Sequence, residues 1–167
     1  MSSNHTDSIL EAVERNDLDT VKYLVEVKGE SLRVVNELQQ TPVHVAVEKN
    51  RLNIVRYLLD QDESLLLDED AVGDNAFHVA VEKGNLFLIK YLVEQRGADI
   101  FQGIDMRLGN TAVHLAAQAG HLPVLKYFIE DRFANFNLKN RVGETLLFLA
   151  AERQHLHIVK YLVERWN

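Results

Sequence analysis

Thr41-Pro42-Val43-His44-Val45-Ala46-Val47-Glu48-Lys49-Asn50 decides the fold, because its second half keeps returning. Ala46-Val47-Glu48-Lys49-Asn50 recurs as Ala80-Val81-Glu82-Lys83-Gly84. Looser copies are Ala12-Val13-Glu14-Arg15-Asn16, Ala116-Ala117-Gln118-Ala119-Gly120 and Ala150-Ala151-Glu152-Arg153-Gln154. The alanines step by 34, 34, 36 and 34 residues. The downstream half keeps the register: Leu18, Leu52, Leu86, Leu122 and Leu156 align, then Val21, Val55, Ile89, Leu125 and Val159. A cation follows each time, then Tyr23, Tyr57, Tyr91, Tyr127 and Tyr161, which are all five tyrosines of the chain. A fixed period of this length marks a repeat architecture.

Each copy reads as two helices. Leu52, Val55, Leu58 and Leu59 have the i, i+3, i+6, i+7 spacing of one helix face. Asp7, Thr41, Asn75, Thr111 and Thr145 mark the start of the first helix, since their side-chain oxygens can satisfy a first-turn amide. Pro42 suits the first helical position, where a missing N–H costs nothing. Asn16, Asn50, Gly84, Gly120 and Gln154 end that helix; all but Gln154 are residues that tolerate a left-handed conformation. Gly73, Gly109 and Gly143, each two residues before the next cap, predict a tight hairpin finger. Gln39 stands there in the first junction, so a less regular finger is expected. The 36-residue step puts two extra residues near Phe101 to Gly103. The expected organisation is a tail over 1–6 and one domain over 7–167, with repeats of about 7–40, 41–74, 75–110, 111–144 and 145–167.

Thr41-Pro42-Val43-His44-Val45-Ala46 closely resembles the ankyrin signature Thr-Pro-Leu-His-x-Ala, and Thr111-Ala112-Val113-His114-Leu115-Ala116 is a second good copy. Gly120-His121-Leu122-Pro123-Val124-Leu125-Lys126 resembles the family's second-helix opening, and Ala134 to Asn140 its loop into a finger. Tetratricopeptide repeats share the period, but lack a Thr-x-x-His start and a Gly-containing finger. The resemblance implies an all-α fold, a right-handed solenoid of five helix-turn-helix repeats with short hairpin fingers. It also implies a protein-binding module or scaffold that uses fingers and concave face. Carried onto this sequence, the contact positions are Glu37, Leu38, Gln40, Ala71, Val72, Asp74, Arg107, Leu108, Asn110, Arg141, Val142 and Glu144 on the fingers. At the ends of the first helices they are Glu48, Lys49, Glu82, Lys83, Gln118, Ala119, Glu152 and Arg153. The copies depart from the family at Leu10 and Phe148, which replace its His. No polar capping repeat follows the fifth copy. Either its last helix caps itself or the chain is a fragment, for instance the targeting domain of a larger enzyme.

Composition narrows the alternatives. Hydrophobic residues at 47% and charged residues at 26% match a soluble folded protein. Net charge of −7 argues against nucleic acid and anionic membrane as partners. The absence of cysteine excludes disulfides and zinc-thiolate sites. His44, His78 and His114 recur once per repeat and invite a metal reading. Stacked helices lie ~8–10 Å apart, whereas zinc ligands lie ~2 Å from the metal, so three successive repeats cannot share one ion. The family resemblance implies that this His ties neighbouring loops. Asp68-Glu69-Asp70-Ala71-Val72-Gly73 lacks the ligand pattern of a calcium loop. Ser64 lacks a nucleophile-elbow context. No cofactor and no catalysis are expected, and the expected setting is a cytoplasmic monomer.

Charge placement adds detail. From Tyr57 to Glu82 there are eight acids and no Lys or Arg, so the rest of the chain sums to +1. That stretch is either a solvated loop or an electrostatic address for a basic patch facing Asp68, Glu69 and Asp70. Lys22, Arg56, Lys90, Lys126 and Lys160 form a ladder whose stems cover apolar surface, read here as a solubility feature. Leu38, Val72, Leu108 and Val142 put an apolar residue at each fingertip. They either pack finger to finger or form a stripe facing the partner.

Overall fold

The computed structural model describes residues 8–103 and 108–165. Among them are ten α-helices, and β structure is limited to isolated bridges. The tail 1–6, the cap expected at Asp7, the fingertip Arg107 and the terminal Trp166 and Asn167 lie outside the described residues. The chain divides into two compact units, Met1–Val79 and Ala80–Asn167.

The first unit holds α1 (Ile9–Glu14), α2 (Leu18–Glu26), α3 (Pro42–Glu48) and α4 (Leu52–Gln61). First helices stack on first helices (α1 on α3) and second on second (α2 on α4). Ile9, Ala12, Val13, Val21, Val43, Ala46, Ile54, Val55 and Leu58 are buried between them. A 3-10 turn, Glu63–Leu67, adds Leu65 and Leu66 to this core. Helix α5 (Ala76–Lys83) spans the division. The second unit continues with α6 (Leu86–Arg96), α7 (Ala112–Gln118), α8 (Leu122–Lys126), α9 (Leu146–Glu152) and α10 (Leu156–Glu164). Here α7 stacks on α9 and α6 on α8.

The caps follow the sequence, with one correction. Ser8, not Asp7, caps α1: its hydroxyl accepts the Glu11 N–H at 3.2 Å, and its own N–H donates to the Glu11 carboxylate at 3.1 Å. Ser-x-x-Glu satisfies two orphan donors reciprocally, whereas Asp7 has Leu10 three residues on and nothing to complete the box. In the middle repeats His replaces Glu in this role. The Thr41 N–H points at His44 Nδ1 at 3.3 Å, and the Thr41 hydroxyl lies 2.9 Å from the same nitrogen. Since Nδ1 accepts, the ring proton sits on Nε2, which donates to the Asp74 carbonyl at 3.1 Å. His44 therefore joins the start of its own helix to the next finger. His78 and His114 accept from Asn75 and Thr111 in the same way, at 3.3 and 3.2 Å. Burial holds both below the usual imidazole range, His78 at about 4.

The first helices end in left-handed residues as expected. Asn16, Asn50, Gly84, Gly120 and Gln154 have φ of 60°, 56°, 71°, 83° and 61°. Gln154 carries the steric cost of that geometry, ~1–2 kcal/mol for a residue with a Cβ.

Two second helices, α2 and α6, end in a glycine: Gly29 and Gly97 take φ of 68° and 69°. Phe133 occupies the aligned place at φ 57°, after α8 has widened into a π turn over Tyr127–Asp131. The amides of Glu30, Ala98 and Ala134 then close back onto the carbonyls of Leu24, Leu92 and Phe128 at 3.0, 3.0 and 2.8 Å. Each of these amides reaches back six residues, one more than in a Schellman motif, and in one case the left-handed residue is a bulky aromatic that is 85% exposed.

Candidate partner-binding surface

The first, second and fourth fingers are each built by one side chain. Asn36 Oδ1 accepts the N–H groups of Leu38 and Gln40, both at 3.0 Å. Asp70 Oδ1 does the same for Val72 and Asp74, both at 3.0 Å. Asn140 Oδ1 takes Val142 at 3.2 Å and Glu144 at 2.9 Å. An Asx side chain that accepts from residues two and four ahead fixes a turn without help from neighbours. The first finger is therefore as regular as the second and fourth, correcting the expectation raised by Gln39. Gln39 takes φ 58° where Gly73 and Gly143 take 90° and 87°. Asn36 supplies the hydrogen bonds that hold it there. Met106 stands at the aligned place in the third finger and has no oxygen to offer.

Neighbouring fingers are tied through the backbone. In the first unit the Ala71 N–H donates to the Leu38 carbonyl at 3.0 Å; in the second the Arg141 N–H donates to Leu108 at 2.9 Å. Asn140 Nδ2 adds a bond to Asn110 Oδ1 at 3.0 Å. Main-chain ties leave the tip side chains outside the contact. Leu38, Val72 and Val142 are 61%, 77% and 57% exposed. These three tip side chains are therefore not packed finger to finger, and Leu108 is half-buried. Arg141 lies over Gly109, where any Cβ would meet its side chain.

The remaining positions sort by chemistry. Glu37, Ala71 and Arg141 are exposed. Gln40 and Glu144 are half-buried and bonded back to Asn36 and Asn140, at 3.0 and 2.8 Å. Asn110 is buried and Asp74 half-buried, with the Asp74 carbonyl taken by His44. At the helix ends Lys49, Glu82, Lys83, Glu152 and Arg153 are exposed, while Glu48, Gln118 and Ala119 are half-buried. A groove of about 270 Å³ in the second unit is lined by Glu82, Leu115, Gln118, Ala119 and Arg153. Its walls are fixed from behind: His121 Nε2 donates to the Glu82 carbonyl at 2.6 Å, and His155 Nε2 to that of Gln118 at 2.9 Å.

The acidic stretch is partly consumed by the fold. Arg33 holds Asp62 at 2.8 Å, Asp68 at 2.9 Å and the Ser64 hydroxyl at 2.7 Å. Hydrogen bonds from Ser64 and then Arg33 keep the Asp62 carboxyl below the usual range. Asp70 builds its finger. Of Asp68, Glu69 and Asp70, only Glu69 is exposed.

The cation ladder does more than keep the surface wet. The Tyr57 hydroxyl donates to Glu26 at 3.0 Å, Tyr127 to Glu94 at 3.0 Å and Tyr161 to Glu130 at 2.9 Å. Lys22, Lys90 and Lys126 sit over the same rings, at 5.8, 5.0 and 5.3 Å from the centroids. Helices α2, α6 and α8 with its π turn thus each present a Lys and a Glu that clasp the tyrosine of the following repeat. Burial first, and the carboxylate bond second, push these three hydroxyls up to about 12. The sequence signal is Lys-Tyr-x-x-Glu, present at Lys22, Lys90, Lys126 and Lys160.

No helix among the described residues is long and apolar enough to cross a membrane. A comparison with curated proteins returns no match. A family model described as ankyrin repeats, three copies, matches residues 9–104 and 100–167. Repeats of this kind are generally protein–protein interaction modules and typically non-enzymatic. The matched residues run through all five helix pairs, and the Thr-His-finger bond seen at His44 is carried by the signature residues themselves, so the chain belongs to the ankyrin-repeat family.

Proposed function

We propose that this chain binds a partner protein through its fingertips and the ends of its first helices. The observation that carries the reading is the exposure of Leu38, Val72 and Val142 on turns already pinned by Asn36, Asp70 and Asn140. Apolar side chains on rigid supports lose little ordering entropy on binding, which is where affinity is otherwise spent. Of the eight acids, Asp60, Glu63, Glu69 and Glu82 are exposed, and a partner's basic patch is the complement they would steer. The finer form of this reading is a monomeric, cytoplasmic binding protein.

Affinity capture from cell extract with the intact chain and with the triple variant Leu38→Asp, Val72→Asp, Val142→Asp tests it. Loss of the captured protein at an unchanged melting temperature supports the reading. Retention by the triple variant, with loss on Lys90→Glu and Lys126→Glu, overturns it in favour of the second-helix face.

A further inference from the structure

The ends of the first helices repeat a charged pair: Glu14-Arg15, Glu48-Lys49, Glu82-Lys83 and Glu152-Arg153. Only the fourth repeat breaks the series, with Gln118-Ala119. A methyl group stands where every other repeat has a long cation. The consequence is visible one turn earlier on α7. Leu115 is half-buried, while its counterparts Val45, Val79 and Leu149 are buried. The groove described above is this gap, with Leu115 and Ala119 as its apolar surface. The flanking repeats supply the charges, Glu82 from the third and Arg153 from the fifth.

We propose that this notch seats one aliphatic side chain of a linear peptide segment, with a basic residue on the Glu82 side and an acidic residue on the Arg153 side. Its volume lies under the roughly 300–1,000 Å³ of small-molecule pockets, so a free metabolite would stay largely hydrated there. A single side chain whose parent segment contacts the surface on both sides fits instead, in the manner of an interface anchor. The opposite charges on the two rims fix the direction of the segment, because the reversed order sets like against like. The carbonyls of Glu82 and Gln118 are already bound to His121 and His155, so the walls are in place before the peptide arrives. The inference rests on the binding reading above and names the kind of segment recognised.

A phage-displayed library of random linear dodecamers, selected on the intact chain, tests it. The selected set should converge on basic–aliphatic–acidic order. Ala119→Lys restores the residue type that Lys49 and Lys83 hold at this register, so the variant has the composition of a working repeat; circular dichroism checks its fold. Enrichment of the set should fall roughly tenfold on Ala119→Lys, the scale of one lost anchor contact. The double swap Glu82→Arg with Arg153→Glu should select acidic–aliphatic–basic order. No convergent set on the unaltered chain, equal enrichment on Ala119→Lys, or an unchanged order on the swap overturns the proposal. The fingertip capture experiment separates the two readings. If the triple tip variant loses its partner while these outcomes fail, the binding reading stands and the notch does not.

Discussion

The first and last repeats share one register and bury opposite parts of it. In the first, Val13 is buried and Glu11 exposed. In the last, the residues aligned with them reverse: Ala151 is exposed and Leu149 buried. Tyr23 of the first repeat is exposed, whereas Tyr161 of the last is half-buried and bonded to Glu130. In the first unit α1 is covered by α3 of the following repeat; in the second unit α9 is covered by α7 of the preceding one. Each repeat therefore has a face for its predecessor and a face for its successor. The two differ in chemistry at the ends. The first repeat turns Glu11 outward, a polar choice, while the last presents Phe148 and Val163, 51% and 45% exposed.

That contrast can be broken most sharply at Val13 and Ala151. Val13→Asp should cost ~3–5 kcal/mol, since it leaves an unpaired charge in the core. Ala151→Asp, at the same register, should stay within ~0.5 kcal/mol as an exposed change. Equal urea midpoints for the two variants would mean that the two faces are not as distinct as described.

The middle repeats differ from both ends in carrying the buried His, and acid should expose this. The folded pKa of His78 is depressed from 6.5 to about 4 by burial, so the unfolded chain takes up the proton first. Stability should be intact above pH 6.5 and fall as pH drops through the window down to about 4. His78→Leu, which installs the residue type found at Leu10, should flatten that part of the profile. A denaturation midpoint that falls equally in both proteins would assign the acid loss to other groups.

The tyrosines provide a smaller contrast. Tyr127→Phe removes a hydrogen bond to a carboxylate and should cost ~1–2 kcal/mol, while Tyr23→Phe should change stability by less than ~0.5 kcal/mol. Alkali acts in the same sense. The folded pKa of Tyr57, Tyr127 and Tyr161 is raised from 10.0 to about 12, so stability present below pH 10 is lost as pH rises toward 12. Thermal melts at pH 8 and pH 11 would show it, with a smaller loss in Tyr127→Phe. Lys90→Ala should cost ~0.5–1 kcal/mol through its contact with the Tyr127 ring. No change would return that lysine to a surface role.

The period, the five tyrosines and the Thr-x-x-His copies made the fold legible in the sequence. The binding surface was legible only as positions. Periodicity reports which residues share a register, not which of them the chain spends on itself. Gln40 and Glu144 sit at finger positions but are hydrogen-bonded inside their own fingers, and Asn110 is bonded to Asn140 of the next finger. Asp68 is held by Arg33, whose sequence position gives no hint of it. The regular first finger is carried by Asn36, whereas Gln39 in place of glycine points the other way. The notch was readable too, because Ala119 is the one break in a series of cations, but its depth needed Leu115 in three dimensions.

The ties between repeats also bear on how the chain reaches this structure. The hydrogen bonds that join one repeat to the next link residues close in sequence: 31 apart for Tyr57 and Glu26, 33 for Tyr127 and Glu94, and 39 for His121 and Glu82. Forming any of them closes a loop of about one repeat, and loop-closure entropy grows only slowly with length. Such a chain has the low contact order of rapid folders. A helix pair can form first and grow by addition of its neighbour. Loss of structure should then begin at the outermost pairs, so hydrogen exchange should be fastest in α10 and slowest in helices covered on both sides.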